Sequence, residues 1–130
     1  MNTHLIDQIE TKIVKAVFPE NTNHYDTLFG GEALKWMDEV AFLTATRFSR
    51  QRYVTVSLDK TDFKKSIPAG TIAELIGKVV MVGKSSLRVQ VDIYIEQMYE
   101  FKRELAVTGY FTMVAIDEEK SPTVIAVPKK

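Results

Sequence analysis

The sequence predicts an α+β fold in which an antiparallel sheet curls around one long helix, and three observations carry that expectation. One stretch, from about Gly31 to Arg47, has the apolar spacing and length of a helix. The segments after it repeat apolar residues at every second position, the period of a strand with one buried face. The chain has 130 residues, enough for one well-formed core and too few for two, so helix and strands must share it as a single domain spanning 1–130. A helix of about seventeen residues is ~25 Å long and needs a cover, and four or five strands are what remains to supply it.

Each element can be justified in order. Residues 11–18, TKIVKAVF, are β-rich and stop at Pro19, which with Asn21, Asn23 and Asp26 reads as a loop leading into the helix. Three alternating strands follow. The first carries Val54, Val56 and Leu58, the second Ala73, Leu75, Val79 and Met81, and the third Leu87, Val89, Val91, Ile93 and Ile95. A further strand at about 103–116 is apolar on both faces, as expected of a central strand or one covered by a partner subunit. A Lys-Ser-Pro-Thr turn at 120–123 then leads into a short tail, Val124 to Val127, expected to add an edge strand. No repeat, low-complexity tract or linker interrupts the chain.

Composition narrows the chemistry. Seventeen basic and seventeen acidic residues cancel, which argues against nucleic acid as the main partner. There is no cysteine, hence no disulfide, thiolate ligand or thiol nucleophile. Asp7, Glu10, Lys12 and Lys15 exclude a secretory leader in the first twenty residues, and no apolar run approaches the ~20 residues of a membrane span, so a cytoplasmic protein without membrane partners is expected. The two histidines, His4 and His24, lack metal-ligand spacing, and neither a metal nor another cofactor is implied. No G-x-S-x-G elbow is present to support a serine hydrolase.

Taken at 100° per residue, the helix sets Leu34, Ala41, Phe42 and Ala45 within about 60° of Asp38, which centres a carboxylate in the apolar stripe. Trp36 falls on the opposite face, to pack against the sheet or a partner, while Lys35 and Glu39 are spaced as an ordinary surface pair. An ionised carboxylate in an apolar wall costs several kcal/mol unless partnered. Asp38 is therefore either a structural group bonded to a neighbouring strand or across a dimer interface, or a group that does chemistry. Gly30 and Gly31 permit either a tight turn or close approach of a ligand to the unpaired first-turn N–H groups, which can hold developing negative charge. Gly31 and Asp38 are separated by ~10 Å along the axis, too far for one carbonyl to meet both. Two antiparallel helices across a two-fold axis would set each Asp38 beside the other chain's glycine turn, so a dimer with composite sites is expected.

The stretches PENTNHYDTLFGGEALKWMDE, YVTVSLDKTDFKKSIPAG and VGKSSLRVQVDIYIE resemble the acyl-CoA thioesterases of the hotdog superfamily, in the YciA-type and animal acyl-CoA hydrolase branch. The resemblance spans about residues 11–127, and its most specific part is the ordered set Asn23, Gly30-Gly31, Asp38, Thr55 and the turn from Phe63 to Gly70. It implies a hotdog fold and hydrolysis of acyl-CoA to CoA and a free acid, the chemistry of fatty acid metabolism. It also implies a homo-oligomer with a dimer as the minimal unit, commonly a trimer of dimers, that is, a hexamer. By the same resemblance Asp38 is the catalytic carboxylate, as base or nucleophile, Asn23 is supplied from the opposite subunit, Gly31 N–H binds the thioester oxygen beside Gly30, and Thr55 positions the site. Lys64, Lys65, Lys84 and Arg88 are the candidates for the CoA phosphates, with Gly83, Ser85 and Ser86 along the path of the cofactor moiety. Two departures stand out: Phe29 occupies a position where many relatives carry histidine or phenylalanine, so it follows the bacterial version and lacks the histidine donor, and Ser66 stands where a proline is frequent, with Pro68 two residues later. Two other readings keep the ligand class, a hotdog hydratase or dehydratase using His24, and a non-catalytic acyl-CoA-binding module.

Overall fold

A computed structural model describes residues 9–126; His4, Asp7 and Val127, on which expectations above fall, lie outside them. The elements are β1 (Glu10–Ala16), a 3-10 turn (Pro19–Asn21), helix α1 (Gly30–Ser49), β2 (Arg52–Phe63), β3 (Thr71–Val82), β4 (Ser86–Gln97) and β5 (Arg103–Ile116). The strands form one antiparallel five-stranded sheet in the order β1-β3-β4-β5-β2, and α1 lies across its concave face. The expected architecture is the one found, with β4 central and β5 inside the sheet between β4 and β2.

The helix runs three residues longer than the sequence pattern suggests, from Gly30 to Ser49, and ends where Arg50 turns left-handed at φ 58° and donates its N–H to Thr46 O. Its buried side carries Ala33, Trp36, Met37, Val40, Ala41, Thr44, Ala45 and Phe48. Two glycines let it sit close to the sheet. A Cβ on Gly77 of β3 would lie 2.6 Å from Val40 Cγ1 and 2.7 Å from Thr44 Oγ1, and one on Gly109 of β5 would lie 2.9 Å from Met37 Cε. Trp36 is buried, with Lys15 Nζ of β1 5.0 Å above its ring, so it packs against the sheet.

The strict alternation read from the sequence breaks at four extra residues, one of them between Asp59 and Asp62 of β2. Between Thr55 and Ser57 the β2–β5 register slips, so Val56 is a bulge; Tyr53 and Thr55 face the helix before it and Leu58 after it. Val54 and Val56, expected in the core, instead lie exposed, at 41% and 55%. A slip between Val79 and Met81 likewise turns Met81 outward, and one between Ile93 and Tyr94 leaves Ala106 as an extra residue of β5. β5 buries only the face bearing Phe111, Met113 and Ala115; its other face is half-covered, not apolar core.

The tail is not an edge strand over the described residues 124–126. The turn sits earlier than expected, with Lys120 N–H donating to Asp117 O at φ 66° for Lys120 and a single bridge from Ile116 to Pro122. Beyond it Ile125 is buried, and Gln51 clasps the segment through Val124 O and Ala126 N–H.

Candidate active site

The loop before α1 is built by Asn23. Its Oδ1 accepts hydrogen bonds from Tyr25 N–H at 2.9 Å and from Thr27 N–H and Oγ1 at 3.3 and 3.2 Å, while Asn23 N–H donates to Thr27 O. The loop then delivers Phe29 as the residue preceding the helix, with no side chain capping the first turn. The first N–H to find a helical acceptor is that of Ala33, which reaches Phe29 O at 3.0 Å. Those of Gly30, Gly31 and Glu32 have no acceptor among the described residues. With no side chain at Gly30 or Gly31, and open space where a Cβ would stand, those N–H groups are accessible.

Two turns along, Asp38 departs from its expected setting. The buried face of α1 is centred nearer Met37 than Asp38, because the helix is apolar over more than half its circumference and four residues do not locate the middle. Asp38 lies on the rim and is exposed in the single chain, beside half-buried Leu34 and a Phe42 that is 45% exposed. Its Oδ1 accepts a 2.6 Å hydrogen bond from Thr55 Oγ1. The inward turn of Thr55 ahead of the Val56 bulge aims that hydroxyl, which also sits 3.3 Å from Met113 Sδ on the buried side. Asp38 Oδ2 has no partner among the described residues, so one oxygen is fixed and the other is open to the cleft.

That cleft, about 320 Å³, is lined by Gly31, Leu34, Lys35, Asp38, Thr55, Leu58 and Phe111. Three of the four expected catalytic residues thus come together in one chain. The fourth, Asn23, does not line the cleft and makes no hydrogen bond to Asp38 or Thr55. Lys35 also departs from expectation: no ion pair joins it to Glu39 among the described residues, and it lines the cleft instead. Lys35, Leu58 and Phe111 are not among the site residues expected from the sequence; Lys35 follows from its place one turn before Asp38, whereas Leu58 and Phe111 depend on how the sheet closes on the helix.

The candidates for CoA phosphates fall into two groups. Lys64 and Lys65 follow β2; Lys65 Nζ is 2.7 Å from Glu104 and lines a second cleft with Gly30, while Lys64 is exposed. The other group is the β3–β4 turn and the start of β4, where Gly83 N–H donates to Ser86 O, Lys84 O accepts from Ile125 N–H and Ser85 O from Ala115 N–H. Arg88 there pairs with Asp59 at 3.2 Å and lies over Tyr110. Ser86 is level with Val114 and Val54, so this turn and Lys64 are some ten strand residues, ~30 Å, apart and do not form one pocket within a chain. His24 is exposed, its ring tilted against that of Tyr25 with centroids 3.9 Å apart, and it forms no ion pair among the described residues.

Comparison with known proteins fits this geometry. A family model described as the thioesterase superfamily matches residues 25–102. The uncharacterized acyl-CoA thioester hydrolase YkhA of Bacillus subtilis strain 168 is 39% identical over 122 residues, 92% of this chain and 70% of that protein. The chain belongs to the acyl-CoA thioester hydrolases of the hotdog fold. Among solved structures, an acyl-CoA hydrolase of Staphylococcus aureus in complex with butyryl coenzyme A, coenzyme A and coenzyme A disulfide superposes on this family member with a TM-score of 0.88. It is 35% identical, over 96% of this chain and 77% of that one. Alanine variants of the S. aureus hydrolase have been solved at an asparagine, an aspartate and a threonine. An apo-hexameric acyl-CoA thioesterase superposes at 0.90 with 35% identity, over 96% of this chain and 81% of that one. No helix among the described residues of this hydrolase-family chain is long and apolar enough to cross a membrane.

Proposed function

We propose that this chain hydrolyses acyl-CoA thioesters to CoA and a free carboxylic acid, at sites each shared between two copies. The observation that carries the reading is the Thr55–Asp38 hydrogen bond in a cleft that also holds Gly31. Thr55 spends its proton on Oδ1 and holds the carboxylate in one orientation, leaving Oδ2 to take a proton from water. The Gly31 N–H and the positive end of the helix polarise the thioester carbonyl and stabilise the oxyanion. Water oxygen bonds to the carbonyl carbon as its proton passes to Asp38; the tetrahedral intermediate then expels the CoA thiolate, which takes up that proton.

Sharing across copies is supported by three features. Gly31 and Asp38 of one chain are two helical turns, ~10 Å, apart, so a carbonyl at one is remote from the other. Phe42 stands uncovered on the flank of α1 that bears Asp38, Val54 and Val56 stand uncovered on β2, and β2 is a long edge strand with unpaired backbone groups. Asn23 keeps its Nδ2 free among the described residues and so can donate into another copy's cleft. In the S. aureus hydrolase, the asparagine, aspartate and threonine chosen for replacement follow one another in the same order and spacing as Asn23, Asp38 and Thr55. The CoA phosphates are assigned to Lys64, Lys65, Lys84 and Arg88 drawn from two copies, which resolves the separation of the two groups within one.

Thiol release from acyl-CoA tests the reaction, and binding without release would instead select the non-catalytic module. Mixing Asp38→Asn chains with Asn23→Ala chains tests the sharing: one intact site per mixed dimer restores activity, and no recovery at any mixing ratio rejects it. The hydratase reading finds no support in the exposed His24.

A further inference from the structure

The second cleft, on the other side of the glycine pair from Asp38, has no role in the chemistry above. Gly31 lines the Asp38 cleft and its neighbour Gly30 lines this one, so the two clefts flank the glycine turn where the thioester carbonyl is proposed to bind. Its floor is Leu28, Ala33, Ile67 and Val107, all buried, and its outer wall is Phe63, which is half exposed. Ser66 stands at the rim. The one charged residue of its lining, Lys65, is half exposed and reaches to Glu104 at 2.7 Å, so the floor of the cleft is apolar.

We infer that this cleft is the acyl subsite of the reaction proposed above, and that it makes the chain selective for medium-chain acyl groups. The inference rests on that reaction for its substrate class but on separate residues for its selectivity. The cleft measures about 300 Å³. At about 30 Å³ per methylene-sized group, a water molecule's share of the liquid, it takes on the order of ten groups, so acyl chains fill it up to about ten carbons. Each methylene moved from water into such a lining raises kcat/KM about fourfold, and carbons beyond the cleft gain nothing.

The experiment is a chain-length series, acetyl- through palmitoyl-CoA, read as thiol release in the full-length protein and in Ser66→Phe and Phe63→Ala. In the unaltered chain kcat/KM should climb to about eight to ten carbons and then level. Ser66→Phe, which fills the cleft from an exposed rim, should stop the climb earlier and lower the octanoyl-to-acetyl ratio at least tenfold. Phe63→Ala, which removes one wall, should flatten the slope per carbon. A flat profile, or a rise in KM by the same factor for every chain length including acetyl, overturns the inference and gives the groove to the CoA arm. Binding of the same series to Asp38→Asn separates the two readings. Chain-length-dependent affinity without hydrolysis in the unaltered protein would sink the catalytic proposal and keep the subsite, whereas hydrolysis with length-independent affinity would do the reverse.

Discussion

The two flanks of α1 carry opposite designs. On one, Val40 and Thr44 press against Gly77 so closely that a single added carbon has no room, and Thr44 satisfies its own hydroxyl by donating to Val40 O at 2.7 Å. On the other, Asp38 and Phe42 stand exposed, and the only hydrogen bond that the carboxylate accepts among the described residues comes from Thr55 on a strand deformed by a bulge. The first flank fixes where the helix lies; the second uses that fixed position to aim a charged group it does not need for folding. Stability and chemistry are thereby separable on one element, and substitutions on each flank should move different observables.

The largest effect is expected at Asp38. Asp38→Asn keeps the size and the hydrogen bond to Thr55 but removes the proton acceptor, and a general base typically contributes ~10²- to 10⁴-fold. Thiol release should fall by about 10³-fold with the thermal midpoint within a few degrees of the parent, because the side chain is exposed. A wild-type rate in the folded variant would remove Asp38 from the mechanism. Thr55→Ala comes next, with a loss of ~10- to 100-fold in kcat, little change in KM and substantial recovery in Thr55→Ser, which restores the donor to Oδ1. Failure of serine to recover activity would make Thr55 a packing residue.

On the opposite flank the observable changes. Gly77→Ala should lower stability by ~1–3 kcal/mol, the usual range for overpacking, since Val40 and Thr44 would have to move. Chemical denaturation reads it, and kcat per folded molecule should stay near the parent. A large loss of kcat without loss of stability would mean that the flanks are coupled.

How much of this was legible depends on which physical signal each feature leaves. The helix, the strands and the wrapping of one by the others follow from apolar period and chain length, signals spread over many residues, whereas the strand order leaves no such signal. The outward turn of Val54, Val56 and Met81 rests on single inserted residues in β2 and β3, and a bulge at a valine carries no mark in the sequence. Asp38, Thr55 and Gly31 were legible as a set from family resemblance and helical spacing, but the exposure of the carboxylate was not. Its true place on the rim depends on how a broadly apolar helix rolls against Gly77 and Gly109, a matter of sheet contacts invisible to angular counting. The clefts lined by Leu58 and Phe111, and by Phe63 and Ile67, join residues far apart in the chain and emerge only when the sheet closes on the helix.

The smallest expected effect is also the sharpest control on the comparison. Glu39 follows Asp38 directly, carries the same charge and is also exposed, yet at 100° around the helix from Asp38 it lines neither cleft. With Lys35 engaged in the cleft wall and no ion pair to Glu39 among the described residues, its carboxylate has only solvent for a partner. Glu39→Gln should therefore shift stability by no more than ~0.5 kcal/mol, the range of a solvated surface change. It should change kcat/KM less than twofold, measured beside Asp38→Asn in the same assay. A tenfold loss would show that charge anywhere on this flank, rather than an acceptor held at one spot by Thr55, sustains the reaction.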